Sequence, residues 1–135
     1  MPERFFTPEE ANEALEVVRP LAERMVEARR LLLSAQREQA ELVTRIASNG
    51  GGLAPSDVSQ AAAEVERASR DLMAAVDELQ SLGVLVKDLD SGLVDFPCVH
   101  RGRELLLCWQ LGEDEVAYWH GSDEGYAGRK PLPLD

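Results

Sequence analysis

Leu79-Gln80-Ser81-Leu82-Gly83-Val84-Leu85-Val86 is the stretch at which the chain changes its period. Upstream of it, apolar residues recur in steps of three and four for more than sixty positions. Downstream they alternate with period two. The first pattern is that of a helix with one buried stripe, the second that of half-buried strands. Gly83 stands where a helix-terminating residue with left-handed backbone belongs. The stretch therefore divides one domain of 135 residues into a helical part, 7–83, and a sheet part with a C-terminal loop, 84–135. The expected fold class is α+β: a long antiparallel helical hairpin, coiled-coil-like, followed by a small four-stranded antiparallel meander.

Outward on the helical side, Thr7-Pro8-Glu9-Glu10 is a helix start. Thr7 suits the N-cap, Pro8 the first helical position, and Glu10 completes a capping box. A seam then runs Ala14, Val18, Leu21, Met25, Ala28, Leu32, Ala35, Gln39, Leu42, Ile46. Pro20 lies inside this helix and is expected to kink it. Ser48-Asn49-Gly50-Gly51-Gly52-Leu53-Ala54-Pro55-Ser56 reads as the flexible tip, with Ser56 or Asp57 capping the return helix. Its seam is Val58, Ala61, Val65, Ala68, Leu72, Ala75, Leu79, Leu82. Ala61, Ala68 and Ala75 recur every seven residues and let the two axes approach closely. A second, weaker stripe on the first helix holds Ala22, Val26, Leu33, Ala40 and Val43. Two helices cannot cover both stripes, so the second is expected to meet the sheet or another copy, making a homodimer the expected assembly.

On the other side of Gly83, Val84-Leu85-Val86 starts a strand, and residues 93–100, 103–111 and 116–120 are three more. Arg101-Gly102 is a two-residue hairpin loop. It sets His100 opposite Arg103, Cys98 opposite Leu105, Phe96 opposite Leu107 and Val94 opposite Trp109. A four-residue loop at 112–115 would set Trp109 opposite Tyr118 and Leu107 opposite His120. That choice gives the more apolar inner face, with His120 on it, and leaves Asp95, Cys108 and Trp119 in a row on the other. A loop one residue shorter would put Cys108 and His120 on the same face. The tail, 121–135, is expected to be an ordered loop on the sheet.

Charge narrows the partners. The net charge is −11, so phosphate backbones and anionic membranes are poor partners, and neither nucleic acid nor membrane is expected. No apolar run approaches the ~20 residues of a membrane span. The opening Met-Pro-Glu-Arg-Phe-Phe lacks the basic and apolar regions of a signal peptide. The expected location is cytoplasmic, where Cys98 and Cys108 are reduced thiols.

Phe6-Thr7-Pro8-Glu9-Glu10-Ala11-Asn12, Arg19-Pro20-Leu21, Gly92-Leu93-Val94-Asp95-Phe96-Pro97, Leu107-Cys108-Trp109, Leu111-Gly112-Glu113, Tyr118-Trp119-His120 and Gly125-Tyr126-Ala127-Gly128-Arg129 together resemble a prokaryotic family, domain of unknown function 2203. The resemblance covers nearly the whole chain and implies no activity. Cys98 and His100 lie outside its motif.

Three constellations carry chemistry. Cys108, Glu113 and His120, with Asp95, are the ligand types of a transition-metal site, although the chain has no C-x-x-C or H-x-x-x-H spacing. Against this stands a core histidine whose ring N–H is satisfied by a carbonyl or a carboxylate. Cys108 with a histidine base would make a nucleophile, but the acidic surroundings oppose a thiolate, and an inert buried cysteine is the favoured reading. Asp95, Trp119, Tyr126 and Arg129 could bind a small anionic ligand, Arg129 supplying a bidentate fork. A salt bridge from Arg129 to Asp95 or a glutamate, pinning the tail, is the favoured reading of that residue. The leading functional expectation is a non-catalytic, homo-oligomeric interaction protein with no catalytic residues. The rival is a metal-binding protein or enzyme using Asp95, Cys108, Glu113, His120 and Arg129.

Overall fold

The computed structural model describes residues 4–49 and 55–135. Two helices, α1 (Pro8–Asn49) and α2 (Pro55–Ser81), precede five strands: β1 (Leu85–Asp88), β2 (Leu93–His100), β3 (Arg103–Gln110), β4 (Tyr118–Gly121) and β5 (Lys130–Pro131). The sheet is antiparallel with strand order β1-β2-β3-β4-β5. The expected tip residues 50–54 lie outside the described residues.

The capping box forms as the sequence requires. Glu10 N–H donates to Thr7 Oγ1 at 3.0 Å, and Thr7 N–H donates to the Glu10 carboxylate at 2.9 Å. α1 continues through Pro20 without interruption. α2 is helical from Pro55, so Ser56 and Asp57 sit within its first turn rather than at its cap. Its other end closes with both bonds of a Schellman motif. Gly83 N–H donates to Gln80 O and Val84 N–H to Leu79 O, with Gly83 at φ +90°. Leu79 and Val84 are both buried beneath that turn.

Ala61, Ala68, Ala75 and Leu79 of α2 are buried, as are Leu21, Met25, Ala28, Leu32 and Ala35 of α1. The α1 seam fades beyond Ala35: Gln39 and Leu42 are half-buried and Ile46 is exposed. The coiled-coil-like pattern thus describes only part of α1, whose 42 residues outrun the 27 of α2. The second stripe divides in the same way. Ala22 is buried and Val26 lies against the sheet beside Gly92, whereas Leu33 and Val43 are exposed. Gly92, at φ +71°, sits so close to Leu111 and Val26 that a Cβ there would lie 2.8 Å from Leu111 Cβ.

Arg101 (φ 53°) and Gly102 (φ 77°) form the tight turn between β2 and β3, and every pairing expected from it is present. Val94, Phe96, Cys98, Leu105, Leu107 and Trp109 make the inner face, all buried against the helices in one core. Phe6 caps this face, its ring edge-on to Phe96 at 5.1 Å.

The register of β4 is one residue off the expected one. Leu106 pairs His120, Leu107 pairs Trp119 and Cys108 pairs Tyr118. No tight four-residue loop joins β3 to β4. Glu113 folds back instead, its N–H donating to Gln110 O and its carboxylate accepting from Gln110 N–H. Val116 is drawn into the core by Asn12 of α1, whose side-chain oxygen accepts its N–H at 2.7 Å. Seven residues therefore separate the two strands, and loop length no longer sets the register. The tail also differs from expectation. It contributes a fifth strand, β5, paired to β4.

Among the described residues no helix is long and apolar enough to cross a membrane.

Candidate metal centre

The slipped register brings together what the expected one kept apart. Asp95 on β2 is the direct cross-strand partner of Cys108 on β3. His120 on β4 is diagonal to Cys108, on the same face. Asp95 and His120 stand two strands apart, about 9.6 Å of backbone separation. Their side chains reach toward each other across Cys108.

The three are buried: Asp95 is 1 %, Cys108 0 % and His120 2 % exposed. One ligand atom from each, imidazole nitrogen, thiol sulfur and carboxylate oxygen, lies within 4.8 Å of the other two. His120 was expected on the inner face and opposed to Cys108; the one-residue slip overturns both statements.

The protons of His120 are constrained by its neighbours. Nδ1 lies 2.8 Å from Gly121 O, which can only accept, so Nδ1 carries a proton and donates. Nε2 lies 3.1 Å from both oxygens of Asp95. A neutral ring would aim its Nε2 lone pair at a carboxylate. The geometry therefore calls for a proton or a metal ion between Nε2 and the carboxylate. The Nδ1–carbonyl bond also fixes the ring in the orientation that metal-ligating histidines adopt.

Cys108 is a poor nucleophile. Burial, reinforced by the Asp95 charge and opposed by Arg129, pushes its thiol up to about 11. Cys98 is likewise raised, by burial and by Glu9. Asp95 and Leu105 separate the two cysteines in pairing, Cys108 facing Asp95 and Cys98 facing Leu105, and both are free thiols. Five surface cavities have linings that do not include Asp95, Cys108 or His120.

Glu113, expected among the metal ligands, is engaged elsewhere. Its two oxygens accept from Arg129 Nη1 at 2.8 Å and Nη2 at 2.6 Å. Burial works against the Arg129 charge, but the Glu113 fork and the neighbouring Cys108 hold it above its ordinary value. The guanidinium lies over Tyr118 at 4.2 Å and Tyr126 at 4.5 Å from the ring centroids. This is the tail-pinning salt bridge, with Glu113 as partner. The four residues expected to bind an anion are not assembled for it. Arg129 has its carboxylate, Asp95 is paired with His120, and Tyr126 is half-exposed. Trp119 pairs with Leu107 on the other side of the sheet, where Lys130 Nζ stands 4.7 Å from its ring.

Arg19 ties this end to α1. It donates to Glu113 O and Asp114 O and lies 5.8 Å from the Trp109 ring, while Trp109 Nε1–H donates to Glu113 O. Nothing in the spacing of Arg19 marked this role.

A family model described as "Uncharacterized conserved protein (DUF2203)" matches residues 4–132. No curated protein and no solved structure matches the chain.

Proposed function

This chain belongs to the DUF2203 family, whose description assigns no activity, and we propose that it is a transition-metal-binding protein whose ion is held by Asp95, Cys108 and His120. The observation that carries the reading is His120 Nε2, equidistant from both oxygens of a buried carboxylate while its other nitrogen is already committed. A divalent ion between Nε2 and the carboxylate would meet that need. With Asp95 and a Cys108 thiolate ionised and His120 neutral, the site is electrically balanced. A proton alone balances Asp95 but leaves Cys108 without a part.

The donor set favours zinc. Thiolate selects against magnesium and calcium, and mixed nitrogen, sulfur and oxygen ligands suit tetrahedral Zn(II). Ligand atoms on a common ion at about 2.0–2.3 Å stand closer than the present 4.8 Å limit, so small side-chain adjustments suffice. The ion would join β2, β3 and β4, and three protein donors leave one tetrahedral position for a water or another group.

Isothermal titration of metal-free protein with zinc tests this. Stoichiometric binding is expected, and Asp95→Asn, Cys108→Ser and His120→Ala should each abolish or severely weaken it. Heat indistinguishable from dilution would return His120 to an imidazolium paired with Asp95.

A second reading rests on a separate observation. Leu33, Val43, Ile46, Val58 and Met73 are exposed on the hairpin. They support assembly through its far half, as in the homodimer expected from the sequence. Sedimentation velocity tests it. A concentration-independent monomer would remove this reading and leave the metal site untouched.

A further inference from the structure

We propose that the cleft between the start of α1, the end of β2 and the last residues of the tail binds a small organic amine, a protonated nitrogen carried on an apolar body.

The cleft has a volume of about 570 Å³, within the range of small-molecule sites. Cys98 and Val116 line it, and each is only 2 % exposed, so they form an apolar floor. Leu132 and Leu134, both half-buried, bring the tail in as a wall. That wall is tied down. Leu132 N–H donates to Ala117 O at 2.9 Å, and His100 Nε2 lies 2.6 Å from Asp135 O, an acceptor to which it donates. The cleft therefore needs no ligand to form it.

Its charge has one sign. Glu9 and Glu115 line the cleft, and both are exposed at its rim. Among the described residues neither carboxylate takes part in an ion pair. No described lysine or arginine lines the cleft, and the histidine that does is already bonded to Asp135. A cation with an apolar body answers both features. The body takes the floor out of water, and the ammonium group faces the two carboxylates. A bare helix N-terminus would draw an anion instead, but the first turn of α1 already carries Glu9 and Glu10. Calcium or magnesium would gain nothing from the apolar floor, because these ions take oxygen ligands. Asp95, Cys108 and His120 do not line the cleft, so this inference stands apart from the metal reading.

The test is an amide NMR titration of the full chain with phenethylammonium. Phenethyl alcohol, hydrocinnamate and methylammonium serve as matched probes. Phenethylammonium should give saturable shifts centred on Cys98, Val99, Ala117 and Leu134. Phenethyl alcohol, which lacks the charge, should bind about tenfold more weakly, the combined worth of two exposed ion pairs. The double variant Glu9→Gln, Glu115→Gln should lose the same factor toward phenethylammonium and leave phenethyl alcohol unchanged. Both positions are exposed, so the variant should fold as wild type does. Methylammonium has the charge without the body and should give no saturable shift, which separates the cleft from general attraction to a chain of charge −11. Absence of phenethylammonium shifts at these amides overturns the proposal. So does equal binding of hydrocinnamate, or an affinity for phenethylammonium that the double variant leaves unaltered.

Discussion

The near and far halves of α1 are built from similar residues and live in different surroundings. The near half, to about Arg29, is covered by α2 on one side and by the sheet on the other. Its Leu15, Val18, Leu21, Ala22 and Met25 are all buried. Asn12 and Arg19 then convert that packing into fixed loop geometry through their bonds to Val116, Glu113 and Asp114. The far half has only α2 for company. There Leu33 and Val43 are exposed, and Ile46, formally in the seam, is 39 % exposed. An apolar stripe therefore marks where a helix can be covered, and topology decides where it is. The half that touches the sheet positions the cluster; the other half has no part in it.

The largest effect should come from the near half. Trp109→Ala removes a fully buried ring and the Nε1–Glu113 bond, and should cost about 3–5 kcal/mol in denaturant unfolding. His120→Ala, measured without metal, strands a buried Asp95 charge and should cost a similar ~3–5 kcal/mol. Asp95→Asn is the informative contrast. An amide N–H can donate to Nε2, so the metal-free fold should tolerate it much better, while zinc binding is lost. Comparable destabilisation by both would mean that the pair serves packing rather than a cation.

Midway along the hairpin, Ala68→Leu should cost about 1–3 kcal/mol by overpacking the close-approach seam, since Ala68 is buried between the helices. An unchanged melting temperature would contradict the tight seam. In the far half, Val43→Glu should change monomer stability by no more than about 0.5 kcal/mol. If the hairpin mediates assembly, the same substitution should lower the sedimentation coefficient at high concentration.

A further effect is a dependence on alkaline pH. Burial raises the Cys108 thiol from its ordinary 9.0 to about 11. A raised folded-state value means that the unfolded thiol ionises first. The associated stability is then full below pH 9 and declines as pH rises toward 11. Metal-free wild type should therefore lose stability relative to Cys108→Ser across that window. Parallel pH profiles would show that Cys108 is not buried as described.

These contrasts also explain what could be read from the residues. The helix boundary at Gly83 and the pairing of β2 with β3 depend on local chemistry: a left-handed glycine, and a two-residue turn at Arg101-Gly102. Both were legible. The faces of β4 are those of the competing, shorter loop; the residues named that choice but ranked it second, because Asn12, whose bond to Val116 shapes the connection, lies 104 positions away in sequence. That single residue of slip decided the site. Of the expected ligands Asp95, Cys108, Glu113 and His120, the structure leaves out Glu113, which Arg129 holds, and the slip turns His120 to the side of Cys108. β5 was missed because Lys130-Pro131 has no strand signature. It pairs through its position beside β4, after Arg129 has drawn the tail over the sheet. The tail-pinning role of Arg129 was legible from its charge; its choice of Glu113 over Asp95 was not.

Native mass spectrometry of wild type and His120→Ala, each equilibrated with zinc and desalted, tests the central claim most directly. The account predicts one zinc per wild-type chain, retained under gentle desolvation, and the bare polypeptide mass for His120→Ala. Bare mass for both, or equal zinc on both, would contradict a metal centre at Asp95, Cys108 and His120.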